Sequence, residues 1–438
     1  MKITRLPSND STNGWSRILA RRRPHPALSG QVKADWIVLG AGYAGLAAAR
    51  RLAWLRPNQS IALIDAGEIG ENASGRNSGF AVDLPHNVGS SLAELNGSRR
   101  FMRLARAAIA QMDEAVRIHQ IECDWSADGK YHTAVSPRGA GEILRPFEAE
   151  LKALGEPYEW VEGEALRRRL GSPHFTAAVY TPGGRLMNPA ALTRGLGDSL
   201  PENVRVLECS PVTRFDNQGG ICLDTPGGQL RAPRMILAAN GFSEQFGFYP
   251  RRFMHLVALA SITRPLNRAE RTDFGVERPW GLTPANAFVG ITMRYTNDHR
   301  IVIRQGLDYC PSQRFGIEAQ LAVKARHKSL FDARFPMLTD VGMEHSWAGF
   351  VCLSRNSAPG FGRVAQNVWS AVCQNAMGVT KGIFSGMLAA DMATGQNNPL
   401  IADMESLGTP SLLPPRPFLD IGVRARFQWE LWRNRHEA

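Results

Sequence analysis

Six cysteines in 438 residues are too few to staple a chain of this length, and no two of them form a CxxC pair. A disulfide scaffold, a zinc knuckle and a redox dithiol are therefore not suggested, and a reducing compartment is the expectation. No window of 18 apolar residues occurs, so no membrane-spanning helix is expected. A secretory pattern is missing too, since Arg21-Arg22-Arg23-Pro24 leads into polar sequence instead of an apolar run. Cytoplasmic placement follows as an expectation, with a peripheral position at the inner membrane face kept open. Lysine is scarce: 44 of the 51 basic residues are arginine, and no lysine lies between residues 153 and 323.

What is present is a globular composition, 44% apolar and 21% charged, which excludes disorder and a collagen-like fibre. The net charge of +11 is spread along the chain without a basic stripe or a reading module, so no nucleic-acid partner is expected. The first 33 residues carry seven basic groups against the single acid Asp10.

Residues 34–66 read ADWIVLGAGYAGLAAARRLAWLRPNQSIALIDA. Trp36-Ile37-Val38-Leu39 has the continuous apolar character of a buried parallel strand. Gly40-Ala41-Gly42-Tyr43-Ala44-Gly45 follows with GxGxxG spacing, and residues 46–55 continue as a helix that should end before Pro57. A second strand, Ile61-Ala62-Leu63-Ile64, ends at Asp65 and Ala66. Gly40 permits the tight turn, Gly42 lets the backbone approach a pyrophosphate, and Gly45 lets the helix pack on the sheet. Asp65 stands where a carboxylate accepts ribose hydroxyls and disfavours a 2′-phosphate. With strand, helix, strand and acid in place, this is a dinucleotide site. The long polar loop that follows, residues 67–79, is placed to run along a pyrophosphate towards a second ring system, which favours FAD over NAD. Its candidate contacts are Ser74, Gly75, Arg76, Asn77, Ser78 and Gly79.

The glycine motif GAGYAGL, Asp65 and the loop NASGRNSG together resemble the D-amino-acid-oxidase and glycine-oxidase superfamily of FAD enzymes, and within it the glutamylpolyamine oxidoreductase branch. The resemblance implies an α/β (α+β overall) fold, a Rossmann-like FAD-binding domain with an interleaved antiparallel-sheet substrate domain. It implies hydride transfer to flavin N5 from the carbon next to an amine of an amino acid or γ-glutamyl amine. The expected partition is a basic arm over 1–33, FAD-binding segments over 34–96, 166–241 and 336–400, and a helical insertion over 97–165. The main substrate segment is expected over 242–335, and a linker with an amphipathic tail over 401–438.

Further cofactor contacts are expected from Val212, from the turn Ala239-Asn240-Gly241, and from Gly349 in the W-x-G sequence at Trp347. The turn at Met377-Gly378-Val379-Thr380 resembles a family segment that commonly carries histidine where this chain has Met377. Its helix N-terminus would stabilise negative charge on a reduced ring. Cys352 and Cys373 lie near this turn, but cysteine is most often buried and inert, so FAD is expected to be held non-covalently. Residues 289–296 and 301–304 read as paired strands. By resemblance they lie over the flavin, which makes Arg294, Tyr295 and Arg304 candidates for holding an acidic substrate end. No carboxylate or triad is nominated, no metal site is expected, and His86, His132, His174, His255, His299 and His345 do not cluster by spacing.

The lysine-free window removes the substrate-domain lysine by which the sarcosine-oxidase branch activates oxygen. That counts against an oxygen-using oxidase of that type, and the acceptor is left as oxygen or a quinone or other electron carrier. A D-amino-acid dehydrogenase feeding a membrane carrier and a non-catalytic FAD-binding assembly protein are the competing functions. In the tail, Phe427 and Leu431 share a helical face with Val423, with Trp429 and Trp432 beside it. That face suits packing on the body, a subunit contact or a membrane surface. Oligomeric state is left open.

Overall fold

The computed structural model describes residues 1–7, 10–85 and 94–437. His86 lies outside them. The strand Trp36–Leu39 is wholly buried and runs parallel to Ile61–Ile64 and to Arg234–Leu237. These three form the centre of a six-stranded sheet completed by Val204–Leu207 on one side. On the other side stand Val368–Val372 and the antiparallel edge strand Gly360–Ala365. Two helices, Tyr43–Leu55 and Gly378–Thr394, cover one face and share a core with Leu95–His119. The first ends at Leu55, as the approaching Pro57 requires.

The helix pair crosses at close range because the second helix is glycine-bearing where they meet. A β-carbon at Gly386 would stand 1.9 Å from the Ala44 carbonyl oxygen, and one at Gly382 would stand 2.8 Å from the Tyr43 β-carbon. On the sheet's opposite face lies a four-stranded sheet in the order Gly30–Lys33, Gly228–Ala232, Ile221–Thr225, Arg214–Asp216. The strands Gly228–Ala232 and Arg234–Leu237 are consecutive in the chain yet divide between the two sheets at Pro233. Proline has no N–H to give a ladder, so the chain changes sheet there.

The third layer is an eight-stranded sheet. Its order is Met343–Leu353, Met254–Thr263, Ile301–Tyr309, Thr292–Tyr295, Trp280–Pro284, Lys130–Ala134, Ala177–Thr181, Glu159–Glu162. Neighbours are antiparallel except Lys130–Ala134 against Trp280–Pro284. The strands Ala177–Thr181 and Met343–Leu353, allotted by sequence to the nucleotide segments, thus belong to this sheet. One face packs with Phe274 and Phe331 of the helices Arg268–Phe274 and Ile317–Arg334, and with Phe335 at the cap of the second, in a core of its own.

The sheet also recruits a lysine that the window from residue 153 overlooked. Lys130 is buried in it, and burial lowers its ammonium pKa to about 8. The expectation of a lysine-free substrate sheet fails because the chain returns a strand from before residue 153. The basic arm folds onto the body as well. Its short helix Gly14–Arg17 buries Trp15 beside Val302 and Trp347.

Candidate functional site

At the carboxyl ends of the parallel strands lies an elongated cleft of about 260 Å³. Its floor is the turn from Trp36–Leu39 into Tyr43–Leu55, where Gly40 takes φ +105° and Gly42 is the helix N-cap. Gly45 lies behind the cleft: a β-carbon there would stand 1.7 Å from the Gly40 carbonyl oxygen, so the turn closes only around glycine. Asp65 lines the cleft with both carboxylate oxygens already accepting backbone N–H bonds, from Ala41 at 2.7 Å and Gly67 at 2.9 Å. Burial raises its pKa from the usual carboxylate value, with the two N–H groups pulling the other way. Ser74 Oγ accepts from the Tyr43 N–H at 3.2 Å, which fixes the polar loop against the glycine turn.

Of the residues expected from sequence, Gly40, Gly42, Tyr43, Ala44, Asp65, Ala66, Ser74 and Asn77 line the cleft. Val212, Ala239, Asn240, Gly241 and Gly378 line it too. Asn240 also accepts the Cys373 N–H at 3.0 Å, tying two of these turns together. Gly75, Ser78, Gly79, Gly349, Met377, Val379 and Thr380 stand outside the lining. Gly75 packs on the Gly70 carbonyl, and Gly79 lies against Met187 and Arg294. Val379 and Thr380 are buried in the first turn of Gly378–Thr394, whose N-terminus opens on the cleft at Gly378.

Arg76 is a correction. Its guanidinium turns from the cleft to bond the Glu71 and Ala348 carbonyls at 2.6 and 2.9 Å and the Asp10 carboxylate at 2.6 Å. It is a clasp between loop, eight-stranded sheet and arm, and its charge is spent there.

The three substrate candidates also separate. Adjacent strand residues point to opposite faces, so Arg294 and Tyr295 cannot serve one pocket together. Tyr295 faces the helix-covered core against Phe274, and its hydroxyl pairs with His299 Nδ1 at 2.9 Å. Arg294 and Arg304 take the other face, opposite Val302 and Thr292. Arg294 donates to the Gly79 and Met187 carbonyls and lies over the Trp15 ring, so it clamps the loop. Arg304 donates to Thr292 Oγ1 at 3.1 Å, and burial lowers its pKa to about 10, still cationic near neutrality. None of the three lines the cleft.

Sequence reasoning missed the arm's part in this site. Ile3, Arg5, Leu6 and Pro7 close one side of the cleft. The arm reaches it as an added edge, with Ile3 N–H bonded to the Thr213 carbonyl at 2.8 Å. Phe242, Phe350, Cys352 and Gln374 also line it. No spacing signal marks these residues, because they come from four distant segments. Cys352 is the one cysteine of the lining, and burial beside Cys373 raises its thiol well above the usual value. Among the described residues no group of three or more His, Cys, Asp or Glu is arranged to hold a metal.

A glycine turn, a ribose-height acid and two long helices opening on one cleft fit an extended dinucleotide with a second ring. Comparison with known proteins decides the family: the model of the FAD dependent oxidoreductase (DAO) family matches residues 35–392. The chain belongs to that family. It is similar to gamma-glutamylputrescine oxidoreductase of Escherichia coli (strain K12), 25% identical over 406 residues and covering 90% of each chain. Glycine oxidase from Geobacillus kaustophilus shares its fold at TM-score 0.70 and 17% identity, over 88% of this chain and 100% of that one. Glycine oxidase from Bacillus cereus ATCC 14579 does so at TM-score 0.68 and 18% identity, over 87% and 100%. This DAO-family oxidoreductase is therefore an α/β protein with a Rossmann-like FAD-binding part and an interleaved, mainly antiparallel sheet. Among the described residues no helix is long and apolar enough to cross a membrane.

Proposed function

We propose that this chain oxidises the carbon beside the nitrogen of an amino acid or γ-glutamyl amine, giving an imine that water hydrolyses. The carrying observation is the cleft in which Asp65, the glycine turn and the Gly378 helix N-terminus converge, in a chain matched by the DAO model over most of its length. The likeness to gamma-glutamylputrescine oxidoreductase supports an amine as substrate. Bound FAD would supply the two-electron acceptor for the substrate C–H bond.

The chain's own groups bind and orient. Asp65 accepts the ribose hydroxyls, and Gly42 lets the backbone approach the pyrophosphate. The N-terminus of Gly378–Thr394 favours negative charge at the ring end of the cleft. Attachment is non-covalent in this reading, because a thiol raised like that of Cys352 stays protonated and is a poor nucleophile. Arg304, with one neutral hydroxyl partner, is the cation available to an acidic substrate end. Arg294 is already committed to two carbonyls.

The test is anaerobic bleaching of the flavin absorbance with amines, D- and L-amino acids and γ-glutamylated amines, followed by air. Bleaching by one class establishes the reaction and its substrate. Fast colour return in air marks oxygen as acceptor, and slow return marks an electron carrier. A flavin-loaded protein that no member bleaches overturns the reading. Asp65→Ala is expected to weaken FAD binding about 10- to 100-fold, from loss of charge-assisted hydrogen bonds, as read by equilibrium dialysis.

A further inference from the structure

The C-terminal helix Phe418–Arg433 presents the wrong side to water for a helix that merely packs on a protein. Its inward side is only partly apolar. Val423 and Phe427 face the body, and Phe427 meets Phe288 edge-on at 5.5 Å. Glu430 and Asn434 share that side. The outward side carries Phe418, Ile421, Ala425, Trp429 and Trp432 at spacings of three and four, a continuous helical stripe. Phe418, Ile421 and Trp432 are 70%, 64% and 64% exposed. Leu431, grouped by sequence with Phe427, is exposed as well.

Charge is sorted in the same direction. Arg416, Arg424, Arg426, Arg433 and Arg435 are all exposed in this segment, with Arg416 and Arg426 in ion pairs to Asp420 and Glu430. The acids of this segment turn inward. Asp420 accepts from Tyr309 Oη at 2.6 Å, and Glu430 is paired with Arg426 and Asn434. Glu437 is buried and accepts the Val135 and Ser136 N–H groups at 3.0 Å. The helix is thereby fastened at both ends while its apolar stripe and its cations remain outside. Arg426 and Arg433 stack on the Trp429 ring at 4.4 and 5.0 Å, and Arg435 on Trp432 at 5.4 Å.

We propose that this helix docks the protein on an anionic bilayer surface, its aromatic stripe entering the headgroup boundary and its arginines meeting lipid phosphates. Aromatic residues flanked by cations, on a helix lying flat, suit that interface. A second copy of the chain is disfavoured as occupant. Stripe-to-stripe pairing would bring Arg424, Arg433 and Arg435 of two copies together, while Asp420 and Glu430 are already engaged by Arg416 and Arg426 of their own helix. The inference does not rest on the proposed reaction, since binding is read without turnover.

The test is sedimentation of the full-length, flavin-loaded protein with vesicles of phosphatidylcholine, alone or with phosphatidylglycerol. The wild type is expected to pellet with the anionic vesicles about tenfold more than with the neutral ones, and less as salt is raised. Phe418→Ser/Ile421→Ser/Trp432→Ser should stay in solution with unchanged flavin absorbance and melting temperature. Trp54→Ser, which removes a 70% exposed tryptophan elsewhere, should still pellet. Three results would overturn the proposal. These are equal pelleting with both vesicles, binding that survives the triple substitution, or loss of binding in Trp54→Ser as well. A concentration-dependent dimer that the triple substitution abolishes, without vesicle binding, would replace the bilayer with a second copy.

Discussion

The two ends of the chain are both arginine-rich and both carry tryptophan, yet they are used in opposite ways. Trp15 of the arm is 1% exposed and Trp432 of the tail 64%. The arm's cation Arg22 is paired with the fully buried Glu208 at 2.8 Å, whereas the tail's cations ring a solvent-facing stripe. Arginine content is alike in the two segments, although residues 401–438 set five acids against their five arginines where the arm has the single acid Asp10. The difference lies in whether the body offers partners. At the arm it offers Glu208, which also holds the His25 and Ile69 N–H groups. It also offers the Gly70 and Gly75 carbonyls, which Asn13 bonds at 2.9 and 3.2 Å. A segment with buried partners becomes part of the cofactor cleft. At the tail only the acids Asp420 and Glu437 find partners on the body, and the aromatic stripe stays available to something outside.

The sharpest way to break this contrast is Glu208→Ala. It leaves Arg22 without its buried partner and is expected to cost about 3–5 kcal/mol of stability, seen as a lower urea midpoint. FAD should also leave more readily, because Ile69, which lines the cleft, loses the carboxylate that holds its N–H. Asn13→Ala unpairs two buried carbonyls and is expected to cost about 1–3 kcal/mol, with the same loss of cofactor retention.

Asp10→Asn weakens the Arg76 clasp by about 1 kcal/mol, since the pair is partly exposed, and it has a pH signature. The Arg76 guanidinium and Thr12 hold the Asp10 carboxyl below its usual value against the opposing effect of burial. Its contribution is therefore complete above the unfolded value of 3.8 and is lost as pH falls through the lower folded one. The wild type should lose its advantage over Asp10→Asn in that acid window. At the tail, Phe418→Ser or Trp432→Ser is expected to change stability by less than about 0.5 kcal/mol. A melting shift as large as that of Asn13→Ala would show the stripe to be a packed surface instead.

Legibility followed how locally each feature is encoded. The strand–glycine turn–helix–strand unit and its acid were readable because all its constraints lie within residues 34–66. Steric closeness at Gly45 and a buried strand at Ile61–Ile64 leave little freedom in residue type. The polar loop was readable as a cleft wall at Ser74 and Asn77, but Arg76 was misread. A loop arginine looks the same on paper whether it faces a phosphate or three protein oxygens. Tyr295 and Arg294 were named together although strand alternation forbids a shared face, a correction available from period two alone once the strand is accepted.

The eight-stranded sheet was the least legible part, since Lys130–Ala134 pairs with Trp280–Pro284 across some 150 positions, and no local pattern announces such a neighbour. By itself, then, the sequence determined the dinucleotide turn, its acid, the parallel strands around it and the family likeness, because short-range sterics and burial leave those residues few alternatives. Only the tertiary structure decided which strand supplies a lysine to the substrate sheet, which arginine is spent on carbonyls, and that one arginine-rich terminus closes the cleft while the other faces outward. Those outcomes depend on which distant partners the fold brings within a hydrogen bond, and a partner's distance in space is not written in its distance along the chain.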